Sequence, residues 1–292
     1  MDVSGFADLW EHVRLLSDGP RNEALLALLR RRAPGARVLE VGCGSGLLSC
    51  VAARLGAERV YAVEPTAQVE LARALVKANG LEDRVVVLEG MVEELDPEPV
   101  DLAFAELLNA DPFVEGVVSA MSAAAGWLAP GGHLAPSRLR VRVALVGSDK
   151  SAVEVAAVRN VLRGLAAEHG LELGPLREGL ELLEPYRYVA PDVTILGTAV
   201  DLLDLDLHDA VVPEEVVISV PKLPDDLAGG AVLWFEAVLD DGLVLSNHPG
   251  RAGHWGLLVQ EWGKQVGFGC DHVQLRVLLD EEDGATIVPV EA

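Results

Sequence analysis

Two glutamates, Glu106 and Glu115, bracket the stretch AELLNADPFVE, nine positions apart and directly after an apolar run. Carboxylates at both ends of a short, mostly uncharged loop suit a clamp for a cation; two solvated acids on a surface turn are the alternative. A second chemical feature lies upstream. VLEVGCGSG places glycines at 42, 44 and 46 between an apolar run and a helical pattern. Glycine lets backbone approach a ligand closely, and the first turn of the following helix presents unpaired N–H groups. The spacing is GxGxG and position 47 is Leu, so the GxGxxG dinucleotide fingerprint is not met. Glu64 closes the next apolar run, where an acid can accept both hydrogen bonds of a ribose diol. Taken alone, Asp18 and Arg21 read as a helix-start acid and a surface base, and His254 beside Trp255 as a structural turn. Cys270, His272 and His254 lack zinc-ligand spacing and a second ligand pair, so no metal is expected.

The elements that must position these residues alternate. RVLEVG (Arg37 to Gly42), RVYAVE (Arg59 to Glu64), Arg84 to Leu88 and Val100 to Ala105 read as strands. Leu47 to Leu55, Val69 to Asn79 and 113–128 read as helices. GWLAPGGHLAPS turns on Gly131-Gly132 into a further strand, Leu139 to Val146. Such alternation predicts an α/β unit over 1–146 with a doubly wound, Rossmann-like parallel sheet. From 147 to 292 the texture changes. Ser151 to Glu168 looks like an inserted helix, and from Val193 onward short strands separated by Asp241-Gly242 and Pro249-Gly250 predict an antiparallel barrel or sandwich.

The chain has 292 residues and a net charge of −23, from 46 acidic and 23 basic residues. That balance argues against nucleic acid, whose phosphates are met by Lys and Arg, and favours a basic protein, peptide or small molecule. No apolar run approaches a membrane span. Three cysteines without a CxxC pair suit a reducing compartment, and the expected location is cytoplasmic.

The E-x-G-x-G-x-G form led by Glu40 resembles the class I methyltransferases that use S-adenosyl-L-methionine (SAM). More narrowly, the chain resembles the protein arginine N-methyltransferases from about residue 6 to its C-terminus. Glu106 and Glu115 match the double-E loop of that family, whose carboxylates hold a guanidinium in forked hydrogen bonds. The resemblance implies a SAM-binding domain followed by a β-barrel-like domain with a helical arm at about 150–180, and a homodimer through that arm. Gly42, Gly44, Gly46, Glu40 and Glu64 would then bind SAM. SDGPR resembles the D-x-x-R segment, so Arg21 would grip the cofactor carboxylate. GMVEEL resembles G-x-V-E-E, so Val92 and Glu93 would lie against the adenine. Gly253-His254-Trp255 resembles the loop that closes the pocket, with His254 paired to Asp18 and Trp255 at the substrate. The chain departs from the family at its N-terminus, where DVSGFADLWEH carries Phe6 and Trp10 in place of a YFxxY motif. Leu15 and Val117 stand where family members often carry methionines. The implied activity is methylation of a guanidinium nitrogen of arginine. A small-molecule N- or O-methyltransferase and a non-catalytic SAM-binding interaction protein are the alternatives.

Overall fold

The computed structural model describes residues 15–147, 161–174, 186–190, 193–251, 253–267 and 269–290. Phe6, Trp10 and most of the expected arm lie outside the described residues; within the arm, 161–169 are helical.

The first unit is a parallel sheet of β1 (Arg37–Val41), β2 (Arg59–Glu64), β3 (Val85–Glu89), β4 (Val100–Ala105) and β5 (Leu128–Ala135), in the order β3-β2-β1-β4-β5. Central β1 is buried at four of its five residues, as expected of a strand covered on both faces. The helices are α1 (Gly19–Arg32), α2 (Leu47–Arg54), α3 (Val69–Ala78) and α4 (Val117–Ala125). α3 shows how sequence sets the packing: Val69, Ala72 and Val76 recur on one face and are buried. Strand order reverses between β1 and β4, so the glycine turn after β1 and the acidic loop after β4 open on the same edge of the sheet. Ligands bind at such switch points.

Three local expectations are corrected. α4 starts at Val117, because Gly116 adopts a left-handed conformation (φ 64°) that breaks the expected 113–128 helix. The stretch read as a turn at Gly131-Gly132 runs within β5, whose pairing with β4 shifts register between Val100 and Leu102. The strand assigned to the end of the first unit, β6 (Arg138–Val146), pairs instead with strands of the second.

The second unit is antiparallel, as expected, and its hydrogen bonding divides it into two sheets. One contains β6, β7 (Tyr186–Ala190), β8 (Ile195–Asp206), β10 (Ala228–Asp240) and β12 (Leu257–Val266) in the order β7-β12-β10-β6-β8, with β11 (Leu243–Ser246) on β10. The other is β14 (Gly284–Pro289), β13 (His272–Asp280) and β9 (Glu215–Pro221), in that order. β13 alternates strictly between exposed and buried residues, the signature of a sheet solvated on one face. One core runs through both units, with Val38, Leu102, Val141, Phe235 and Ile287 in it. Arg32 of α1 adds a two-toothed ion pair to Asp240, with Nε–Oδ2 at 3.0 Å and Nη2–Oδ1 at 2.8 Å.

Candidate active site

The glycine turn is built from left-handed backbone at Gly42, Gly44 and Gly46 (φ 68°, 52° and 73°). A Cβ on Gly42 would stand 2.5 Å from Leu107 Cδ2. The missing side chain therefore admits the acidic loop against the turn, a protein contact and not only the ligand approach that glycines suggest. A Cβ on Gly46 would stand 3.0 Å from Ala72 Cβ, so α3 also presses on the turn. Leu15, Arg21, Glu40, Gly42, Gly44 and Glu106 are among the residues that line one pocket beside it.

Two carboxyls back this turn. Glu40 is buried on β1 and accepts a hydrogen bond from Ser49 Oγ of α2. Burial raises its pKa to about 8, against the Ser49 hydrogen bonds and the charge of Arg21, so Glu40 is largely protonated at neutral pH. Glu64, also buried, accepts from Gly44 N (2.8 Å), Thr66 N (2.9 Å) and Thr66 Oγ1. A carboxylate offers about four lone-pair sites, so the three donors of the turn leave Glu64 room for a further one. Cys43 lies within the turn, and burial lifts its thiol far above the ordinary range, so it is no nucleophile.

The acidic end of the site is held by residues far apart in the chain. Asp18 caps α1: its Oδ1 accepts from Arg21 N at 3.0 Å. Its Oδ2 accepts from both His254 N and His254 Nδ1, each at 2.9 Å. Burial raises the Asp18 pKa, but the His254 side-chain hydrogen bond, the backbone bonds from Arg21 and His254, and the charge of His254 bring it below its ordinary value. The expected Asp18–His254 pair is thus present. Arg21 is 5% exposed. Its Nε (2.7 Å) and Nη2 both donate to Glu106 Oε2, and Nη1 donates to Asn22 Oδ1 at 2.9 Å. The other oxygen, Glu106 Oε1, accepts from Trp255 Nε1 at 3.3 Å. Trp255 stacks obliquely on His254 (4.4 Å between ring centroids) and meets Phe235 edge-on (5.3 Å). Glu106 is raised to about 7, first by burial and then by the charge of Glu115, against Arg21 and Trp255.

Glu115 stands at the exposed rim of the same loop, and Asn109 Nδ2 donates to its Oε1 at 3.0 Å. Neighbouring protein still displaces part of its water and raises its carboxyl pKa, opposed by Asn109 and by the charge of Arg21. The two glutamates therefore feel each other and the same cation. Val92 is buried, in one core with Leu108 and Phe113 of the acidic loop, and Glu93 is exposed on the short 3-10 turn Val92–Glu94. Sequence reasoning missed Asn22, Ser49, Thr66 and Asn109, short polar residues that orient the charged ones. Only Asn109, inside the acidic loop, stood where a signal could be sought.

The family model described as ribosomal protein L11 methyltransferase (PrmA) matches residues 22–143, the parallel-sheet unit. The arginine N(omega)-methyltransferase of Streptomyces achromogenes subsp. streptozoticus is 32% identical over 279 residues, covering 90% of this chain and 74% of the relative. Protein arginine N-methyltransferase PRMT10 of Arabidopsis thaliana is 38% identical over 149 residues, 49% of this chain and 39% of that one. The solved structure of Arabidopsis thaliana protein arginine methyltransferase 10 matches with a TM-score of 0.74 and 27% identity, covering 92% of this chain and 87% of that one. The Trypanosoma brucei PRMT1 enzyme-prozyme complex shares the fold, with a TM-score of 0.71 at 21% identity, covering 91% of this chain and 86% of that one. The Streptomyces relative is matched through both units, and this chain belongs to the arginine N-methyltransferase family.

Proposed function

We propose that this protein transfers a methyl group from SAM to a guanidinium nitrogen of arginine. One observation carries the reading: the acidic loop already binds a guanidinium. Arg21 occupies Glu106 Oε2 with two N–H groups, while Glu106 Oε1 keeps a single long bond from Trp255 and Glu115 stands at the exposed rim. A second guanidinium would bridge the two carboxylates, one N–H to each, leaving a nitrogen free to react.

The pocket suits the cofactor. A buried arginine, left-handed glycine backbone and two carboxyls form a set that meets a molecule carrying one carboxylate and two positive centres. Arg21 would hold the carboxylate, Gly42, Gly44 and Gly46 would border the chain, and Glu64 would take the ribose. Val92 and Glu93 would lie against the adenine. When bound, SAM supplies an electrophilic methyl on a sulfonium. Glu106 and Glu115 orient the guanidinium, and alignment supplies much of the rate. One proton leaves the guanidinium for each methyl gained. Glu106, raised to about 7, accepts it at a carboxylate oxygen, and the Asp18–His254 pair fixes Trp255 beside that oxygen. The net charge of −23 favours a basic substrate.

The test is mass spectrometry after incubation with SAM and separate pools of arginine peptide, free arginine, amines and phenols, with calorimetry of SAM binding. Methylarginine is expected, and Glu115→Gln should lose about 10²-fold in transfer with SAM binding retained. Full transfer by Glu115→Gln, or methylation of amines or phenols with arginine untouched, overturns the reading. A homodimer through 150–180 belongs to the same proposal. Deleting 151–180 should give a monomer in sedimentation, and an unchanged profile counts against it.

A further inference from the structure

We propose that the turn between β13 and β14 positions Glu115 through a two-point grip, with Asp111 and Glu281 as the positioning residues. The proposal rests on the reading of Glu115 as a guanidinium ligand. Asp111 lies inside the acidic loop yet is only 4% exposed. Its Oδ1 accepts from Phe113 N (3.2 Å), which tightens the loop on itself. Its Oδ2 accepts from Ala285 N at 2.7 Å, a bond that crosses from the first unit to the first residues of β14. The fit there is close. A Cβ on Gly284 would stand 2.2 Å from Asp111 Oδ2 and 2.7 Å from Val114 Cγ1, and Gly284 has φ 78°.

The second point of the grip is at α4. A helix leaves its first N–H groups without partners, and a side chain at the N-cap usually satisfies one. Here the N-cap is Gly116, which has no side chain to do so. Glu281, in the turn after β13, supplies the acceptor from the other unit: its Oε1 takes Ser119 N at 3.1 Å. An acid at that end also suits the helix dipole.

Glu115 stands four residues after Asp111 and four before Ser119. The two glutamates are therefore fixed in different ways. Glu106 is locked by its own side-chain partners, Arg21 and Trp255. Glu115 is exposed and its carboxylate has the Asn109 bond, so its place depends on the backbone held on either side. The distance between the two carboxylates is set in part by the C-terminal hairpin.

The experiment compares Asp111→Ala, Asp111→Asn, Glu281→Ala and Glu281→Gln, with Glu115→Gln as control. It reads kcat and KM for methyl transfer to an arginine peptide, SAM affinity by calorimetry, and Tm. Asp111→Ala should lower kcat about tenfold or more, because small misplacements of a reacting group are costly, with SAM affinity within about twofold of wild type. Asp111→Asn should fall too, since its one acceptor oxygen faces two N–H donors. Glu281→Ala should lower kcat about threefold, and Glu281→Gln should restore it, because an amide oxygen still accepts from Ser119 N. If Asp111→Ala does not fold, the half-buried Glu281 pair decides. Unchanged kcat and KM per folded molecule in Glu281→Ala and Asp111→Asn, with only Tm lowered, overturns the grip alone. Full transfer by the Glu115→Gln control overturns the reading of Glu115 and the grip with it.

Discussion

Replacing Glu40 with Gln should stabilise the protein in alkaline solution and leave it little changed in acid. Glu40 is 4% exposed on the central strand, and burial raises its carboxyl from an ordinary 4.5 to about 8. At about 1.4 kcal/mol per pKa unit, the ionised form is about 5 kcal/mol less favourable in the folded chain than in the unfolded one. The folded value lies above the unfolded one. Between about pH 4.5 and pH 8 the native state keeps a proton that the unfolded state has lost, so stability falls with rising pH by up to about 1.4 kcal/mol per unit. Gln has nearly the same volume, accepts from Ser49 Oγ through its amide oxygen, and does not titrate. Urea unfolding of both proteins between about pH 5 and pH 8 measures the difference. The variant should gain on wild type steadily across that range, by about 3–4 kcal/mol in all. Glu106 contributes a slope of the same sign, but to both proteins, so it cancels in the comparison. A difference that stays constant with pH would refute the argument, because it would mean Glu40 titrates alike in the folded and unfolded chain.

Transfer should rise with pH through about 7 as Glu106 loses its proton, since only the carboxylate attracts a guanidinium; a flat kcat/KM profile across neutrality counts against its role. Gly42→Ala should cost about 1–3 kcal/mol in urea unfolding, because the methyl meets Leu107 in left-handed backbone. Adding Leu107→Ala should relieve the collision but not the backbone strain, so recovery of nothing, or of everything, would contradict the assignment. Asp18→Ala should cost about 1 kcal/mol or more through loss of the α1 cap. Its folded pKa is lowered, so the wild-type advantage is present above about pH 4 and shrinks as pH falls further, which the same melts at acid pH would show.

Local pattern made the strands of the first unit legible. β2 and β4 fall on the residues their apolar runs indicated, Arg59–Glu64 and Val100–Ala105. β5 was hidden because Pro130-Gly131-Gly132 reads as a turn, and parallel pairing with β4 overrides that signal. β6 was given to the wrong unit because its partner, β10, lies far along the chain, and no local feature marks such a pairing. The site divides the same way. The spacing of Glu106 and Glu115 and the glycine turn are local and were visible. The Asp18–His254 contact spans 236 positions and was reached only through family resemblance. The bond from Arg21 to Glu106 joins positions far apart in the chain, and residue type alone does not mark it. Asp111 reads in sequence as one more solvated acid, because its acceptor role depends on an amide in β14.

The acidic loop explains why two units are needed for one site. Its successive residues attach to different elements: Glu106 to α1 and to the His254-Trp255 turn, Leu107 to the glycine turn, Asp111 to β14. A parallel sheet with its glycine turn is sufficient to present a cofactor at the switch point between β1 and β4. It does not by itself fix two like charges close together, since each raises the cost of ionising the other, as Glu115 does to Glu106. Among the groups that offset this cost or hold the geometry are Arg21, Asp18, His254, Trp255 and Ala285. Three of these belong to the C-terminal unit and two to the helix that precedes the sheet. On the proposed reading, recognition of a guanidinium is thus distributed over contacts that exist only once both units are folded together.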